Sequence, residues 1–198
     1  MATFGNRSGW TRRPFPAELH VLTRLNTYIA LLRAVNVGGT GKLPMADLKA
    51  MCQDLGFTSV QTYIASGNVV FQSALSESKL KSALEAKLHT YAAKPVGVHI
   101  RTTAQMQAVR DANPFPDAAP NRVMAIFLDT SADQVMLAGV TGQKDEHIAL
   151  GLNELYVHYG EGMAQSKLKI PAAKSGTARN MNTVAKLTEM ALGQILIA

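Results

Sequence analysis

One cysteine, Cys52, stands in 198 residues, so the chain can form no internal disulfide and needs no oxidising compartment. Nor does any apolar stretch approach the roughly 20 residues of a membrane span, and residues 1–26 lack the apolar centre of a secretory signal. Charged residues are scarce at 17% against 47% apolar, a balance that excludes a disordered chain and predicts a buried core. Acidic residues are missing altogether from Met163 to Thr188, where Lys167, Lys169, Lys174, Arg179 and Lys186 accumulate. Such a stretch is either a solvated basic face or an attractor of anions. The cytoplasm is the expected location.

Several catalytic signatures are also absent. A phosphate-binding P-loop needs Gly, four residues, then Gly-Lys-Ser/Thr; here Gly41-Lys42 has Asn36 in the first place and Leu43 in the last, which excludes that class of nucleotide hydrolase. No Gly-x-Ser-x-Gly elbow occurs. The five histidines show no metal spacing; His147 and His158 face each other only if a hairpin joins them, and two imidazoles make a poor zinc site. No metal is expected, and no residue is marked as a general base, so neither a cofactor nor a catalytic residue can be assigned.

What is present is a succession of elements. Thr27–Val35 is apolar and β-compatible, and Met45, Leu48, Met51, Cys52 and Leu55 recur at helical spacing before Gly56. Cys52, set among them, reads as a buried inert thiol. Strands are expected at Val60–Ile64 and Asn68–Gln72 around the turn Ala65-Ser66-Gly67. A helix striped by Leu80, Leu84, Leu88 and Tyr91 comes next, then a strand at Val96–Arg101. This β-α-β-β-α-β order is that of a ferredoxin-like domain, an antiparallel sheet with helices on one face. The fold class is therefore α+β.

Thr102 or Thr103 can cap a further helix through Asp111. The second half continues with a strand at Arg122–Asp129, a short helix around Val135–Leu137, a hairpin at His147–Leu150 and Leu155–Tyr159, and helical pieces at Met163–Lys169 and Asn182–Leu192. Its β-α-β-β-α order is a degenerate echo of the first half, without residue-level repetition. The expected organisation is a poorly ordered N-terminal extension (1–26), a ferredoxin-like subdomain (27–112), a proline-rich linker, and a second α+β subdomain with basic C-terminal helices (121–198).

Three polar blocks carry the candidate chemistry: Asn36-Val37-Gly38-Gly39-Thr40-Gly41-Lys42, Ser66-Gly67-Asn68, and Gly176-Thr177-Ala178-Arg179-Asn180. Glycines can aim several backbone N–H groups at one point, and a following helix N-terminus favours an anion. Arg33, embedded in an apolar strand, must face solvent or find a partner. Arg179 opposes the dipole of the helix it precedes, which argues for a role in binding or pairing. The candidate anion-binding residues are Arg33, Asn36, Gly38, Gly39, Lys42, Ser66, Asn68, Arg179, Asn180 and Lys186. Their expected ligand is a phosphate- or carboxylate-bearing small molecule, on the condition that Arg33 and Arg179 converge. The bland alternative makes these blocks turns and caps in an interaction protein, with the arginines paired internally. A nucleic-acid module is a third reading, for which only Tyr63 and Phe71 offer stacking rings.

The same blocks, extended to Leu31–Gly39 with Met45, Leu55-Gly56-Phe57, Thr62–Phe71, and Gly176–Asn180 with Thr183 and Lys186-Leu187, closely resemble the bacterial domain-of-unknown-function family number 1697. The resemblance spans about Thr27 to Leu192. It implies an α+β protein built on ferredoxin-like elements and no established activity. Two positions depart from its pattern: Ala34 replaces a usual glycine, a change expected to be tolerated in a strand, and Met181 replaces a common aromatic, which would remove a stacking platform.

Overall fold

The computed structural model describes residues 24–36 and 42–196. The two ends of the chain and the segment 37–41, which holds Gly38 and Gly39, lie outside the described residues, as does most of the expected extension. Two four-stranded antiparallel sheets carry the fold. In the first, β1 (Asn26–Leu32), β2 (Thr58–Tyr63), β3 (Asn68–Ser73) and β4 (Val98–Thr102) lie in the order β2-β3-β1-β4. In the second, β5 (Val123–Phe127), β6 (His147–Leu150), β7 (Glu154–His158) and β8 (Thr177–Asn180) lie in the order β6-β7-β5-β8. Helices α1 (Met45–Asp54), α2 (Glu77–Ala92), α3 (Thr103–Asp111) and α4 (Met181–Ile195) complete the described elements, with 3-10 turns at Gln134–Leu137, Met163–Gln165 and Pro171–Ser175.

Alternation along β1 sorts its side chains between two cores. Tyr28, Ala30 and Leu32 face α1 and α2, meeting Leu48, Met51 and Cys52 from one helix and Leu80, Leu84 and Leu88 from the other. Tyr91, the expected fourth member of that stripe, is 46% exposed and donates its hydroxyl to Asp47 instead. Cys52 is fully buried, and burial pushes its thiol up to about 12, so it is inert. The opposite face of β1, Ile29 and Leu31, joins Val70, the inner face of β5 and one stripe each of α3 and α4 in a second core. A third lies on the outer face of the second sheet, where Ile126, Leu155 and Val157 meet the 3-10 turns.

The two halves repeat one plan. Each begins with a central strand, adds a hairpin on one side, closes with an edge strand on the other, and leaves that edge strand directly into a helix. In the first half β4 runs into α3, capped by Thr102 in a reciprocal box with Gln105. In the second, β8 runs into α4, capped by Asn180 through the Thr183 amide. Ile29 pairs with Arg101 where Ala125 pairs with Arg179, and Leu31 pairs with Asn68 where Phe127 pairs with Glu154. Helices α1 and α2 are replaced in the second half by short 3-10 turns.

The structure differs from the sequence reading in three elements. Residues 177–180, read as loop and cap, form β8, the strand that completes the second sheet. The helix expected at Met163–Lys169 is only the 3-10 turn Met163–Gln165. And β1 stops at Leu32 rather than Val35, because Ala34 (φ 52°) and Asn36 (φ 56°) turn left-handed. Among the described residues, no helix is long and apolar enough to cross a membrane.

Candidate functional site

The C-terminal end of β1 gathers one of the polar blocks completely and two in part. Leu32 donates its N–H to the carbonyl of Gly67 at 2.8 Å, which sets the β2–β3 turn beside the strand end. Asn36 ties that turn to the chain at Leu43. Its amide donates to Leu43 O (2.9 Å) and Ala65 O (2.7 Å), while its Oδ1 accepts the Leu43 N–H at 2.7 Å. Residues 36 and 43 are thereby clasped together. Gly67 (φ 76°) is obligatory here: a Cβ would stand 2.8 Å from that of Leu32.

Arg179 enters this end from the other sheet. Its Nε donates to Asn68 Oδ1 (2.6 Å), Nη1 to Thr177 Oγ1 and Ala178 O (both 2.8 Å), and Nη2 to Leu32 O and Ser66 O (both 2.8 Å). These bonds use all five guanidinium N–H donors. The side chain is 7% exposed, and burial pulls its pKa down to about 10, which leaves it charged at neutral pH. Asn68, fully buried, turns its amide to Tyr63 O and Ser66 Oγ, both at 3.0 Å. Arg179 is thus a crosslink between the sheets, its charge solvated by carbonyl and hydroxyl oxygens and, among the described residues, by no carboxylate.

The expected site residues therefore separate into groups. Asn36, Ser66, Asn68 and Arg179 are brought together, but in a network that satisfies itself. Arg33 lies at the same place, exposed, its N–H bonded to Gly97 O, and its guanidinium has no hydrogen-bond or ion-pair partner among the described residues. Lys42 is exposed and immediately precedes the clasped Leu43. Asn180 serves α4 as its cap, and Lys186 pairs with Glu189 at 3.0 Å, so neither adds to the cluster.

Backbone strain concentrates at this same end. Of the five described non-glycine residues with positive φ, Ala34, Asn36 and Ile64 (φ 49°) surround it. The other two have local causes, Ser59 at the bulge of β2 and Ala93 at the C-cap of α2. A β-branched residue in the left-handed region is strongly disfavoured, and Ile64 is also 49% exposed. Sequence inspection missed Ile64 because nothing in its residue type suggests a left-handed turn.

Both departures from the family pattern acquire a physical meaning. Ala34 does not lie in a strand, and a glycine would suit its left-handed conformation better. Met181 is 5% exposed within the core between the sheets, so an aromatic there would fill the core, not stack on a ligand.

The family model described as "Protein of unknown function (DUF1697)" matches residues 25–156, well over half of the chain, and the chain belongs to that family. The matched span contains the first two blocks and ends before the third. The chain is similar in structure to the conserved bacterial protein SP0830 from Streptococcus pneumoniae, with a TM-score of 0.71 and 24% identity over 85% of this chain and 99% of that one. This likeness bears on the fold alone. No curated protein matches the chain.

Proposed function

We propose, for a member of a family whose description assigns no activity, that the C-terminal end of β1 binds a phosphate- or carboxylate-bearing small molecule. Arg33 and Lys42 supply the charge, and the clasp of Asn36 presents them. The observation that carries this reading is the concentration of left-handed residues around an exposed arginine whose guanidinium has no partner among the described residues. Strain of this kind costs on the order of 1–3 kcal/mol per residue and persists where function requires a particular backbone. Arg179 supports the site from beneath and does not touch the ligand, since its donors are already used.

The test compares the wild type with a variant carrying Arg33→Ala and Lys42→Ala, two exposed positions whose truncation leaves the cores intact. Unfolding temperature is measured against inorganic phosphate, pyrophosphate, ATP and citrate. A ligand at about a hundred times its Kd stabilises the folded state by about 2.7 kcal/mol. The expected result is an upward shift in the wild type and none in the variant. An equal shift in both, or no shift with any of the four, overturns the proposal.

A second reading has its own support. The saturation of Arg179 by internal acceptors is what a purely architectural role for the blocks demands. On that reading the protein acts through a protein partner, and the wild type fails to respond to any of the four anions.

A further inference from the structure

The repeated plan gives Arg179 a counterpart in Arg101, and the two are not used alike. Arg101 Nη1 donates to Ile100 O (2.8 Å) and Nη2 to Leu128 O (2.6 Å) and Asn153 O (3.2 Å). Each bond matches one made by Arg179, to Ala178, Leu32 and Gly67. Even the backbone bond beside them recurs: Leu128 N donates to Asn153 O at 2.9 Å, as Leu32 N does to Gly67 O.

The differences lie in the remaining donors. Where Arg179 gives Nε to Asn68 and Nη1 to Thr177, the corresponding positions hold Glu154 and His99. Neither accepts from Arg101. Glu154 folds back onto its own turn, accepting from Leu152 N (3.2 Å) and Asn153 N (3.1 Å) and sharing the Tyr156 hydroxyl proton (3.2 Å) with Val109 O (2.7 Å). His99 turns to Ser175 O at 3.2 Å. Two N–H donors of an arginine only 7% exposed are left without a hydrogen-bond partner among the described residues.

Arg101 lines a cavity of about 140 Å³, bounded also by Asn153, Glu154 and one face of α3 at Ala108 and Val109. Glu154 is 4% exposed, yet it makes no ion pair with Arg101. Burial lowers the pKa of Arg101, and Glu154 is the largest influence opposing that shift. So a cation and a carboxylate, both buried, border one small cavity without touching. A carboxylate offers about four acceptor sites, of which three are taken, so Glu154 can accept once more, at Oε2. The Asn153 side chain has no partner of its own among the described residues.

We propose that this cavity binds a small zwitterion of the α-amino acid type, its carboxylate on Arg101 and its ammonium on Glu154. Opposite charges on the lining favour a ligand that carries both signs over a simple anion, because an anion alone would face an uncompensated carboxylate. The volume equals that of four or five water molecules at about 30 Å³ each, which admits glycine, alanine or serine. Ala108 and Val109 give the ligand's carbon atoms an apolar wall.

The experiment titrates the full chain with glycine, L-alanine, acetate and methylammonium while backbone amide resonances are followed. L-Alanine should shift residues 105–112 and 152–154 saturably. Acetate and methylammonium, each carrying one of the two charges, should bind at least about tenfold more weakly, a difference of about 1.4 kcal/mol. Ala108→Met, at an exposed position on α3, should abolish the shifts at an unchanged unfolding temperature. Glu154→Gln is the second variant and should erase the preference for L-alanine over acetate. No saturable shift with either amino acid, or acetate binding as tightly as L-alanine, overturns the proposal.

Discussion

Replacing Arg179 with methionine removes the charge and every donor while keeping most of the side-chain volume. The cost depends on which acceptors are stranded. Leu32 O keeps the Thr177 hydroxyl at 3.2 Å, and Gly67 O keeps the Leu32 amide at 2.8 Å. Asn68 Oδ1, fully buried, and Ser66 O have no other donor among the described residues. At about 1–3 kcal/mol per stranded acceptor, the loss is roughly 2–6 kcal/mol, a large part of the 5–15 kcal/mol typical of a domain. Arg101→Met strands Leu128 O and the buried Ile100 O and should also cost roughly 2–6 kcal/mol. Urea unfolding at unchanged slope reads both. Arg179→Lys keeps the charge but offers three donors from one point, so it should recover less than half of the loss. If Arg179→Met unfolds within about 0.5 kcal/mol of the wild type, the range of an ordinary surface change, the crosslink is not what holds the sheets together.

Two further outcomes rest on single residues. Ala34→Gly should stabilise the protein by up to about 1 kcal/mol, since the left-handed conformation costs an L-residue roughly 1–2 kcal/mol and glycine returns part of that as chain entropy; a loss of stability would show that the turn at 34 is not left-handed in solution. His99 is 2% exposed, with Asp129 Oδ1 3.0 Å from Nδ1 and Lys81 and Arg101 nearby. Burial outweighs the pull of Asp129 and holds the imidazole pKa below its ordinary 6.5. The unfolded chain therefore takes up the proton first, so stability is full above about pH 6.5 and declines as the pH falls below it. The urea midpoint should drop between about pH 7.5 and about pH 5 in the wild type and drop less in His99→Gln; an unchanged midpoint in the wild type refutes this.

The first half was legible because its signals are redundant. The apolar run of β1, alternation in β4, helical stripes in α1 and α2, and the turn at Ser66-Gly67 all specify the same arrangement. The second half was less so: β8 is four residues long, two of them Thr177 and Arg179, whose burial depends on hydrogen bonds to the opposite sheet and not on apolar patterning. The convergence of the polar blocks could be anticipated from their residue types. What Arg179 does there could not, because carbonyl acceptors are contributed by backbone and leave no mark in a sequence. The same holds for Ile64, whose left-handed conformation leaves no mark in its residue type.

The reciprocal arginines explain why two sheets with different coverings stay in register. Each edge strand sends a guanidinium across to the end of the other half's central strand and to the hairpin turn beside it, so neither half closes its own strand end. Apolar packing between the sheets is indifferent to small slides, whereas a planar fork bound to fixed carbonyls is not. Where the partner is Asn68, the fork is filled and the rim above it carries the strained turns and the exposed Arg33. Where the partner is Glu154, the carboxylate prefers the amides of its own turn, and two donors stay unmatched among the described residues, at a cavity. One exchange in the pattern, amide against carboxylate, thus separates an arginine whose donors are all used from one that keeps two donors unused among the described residues.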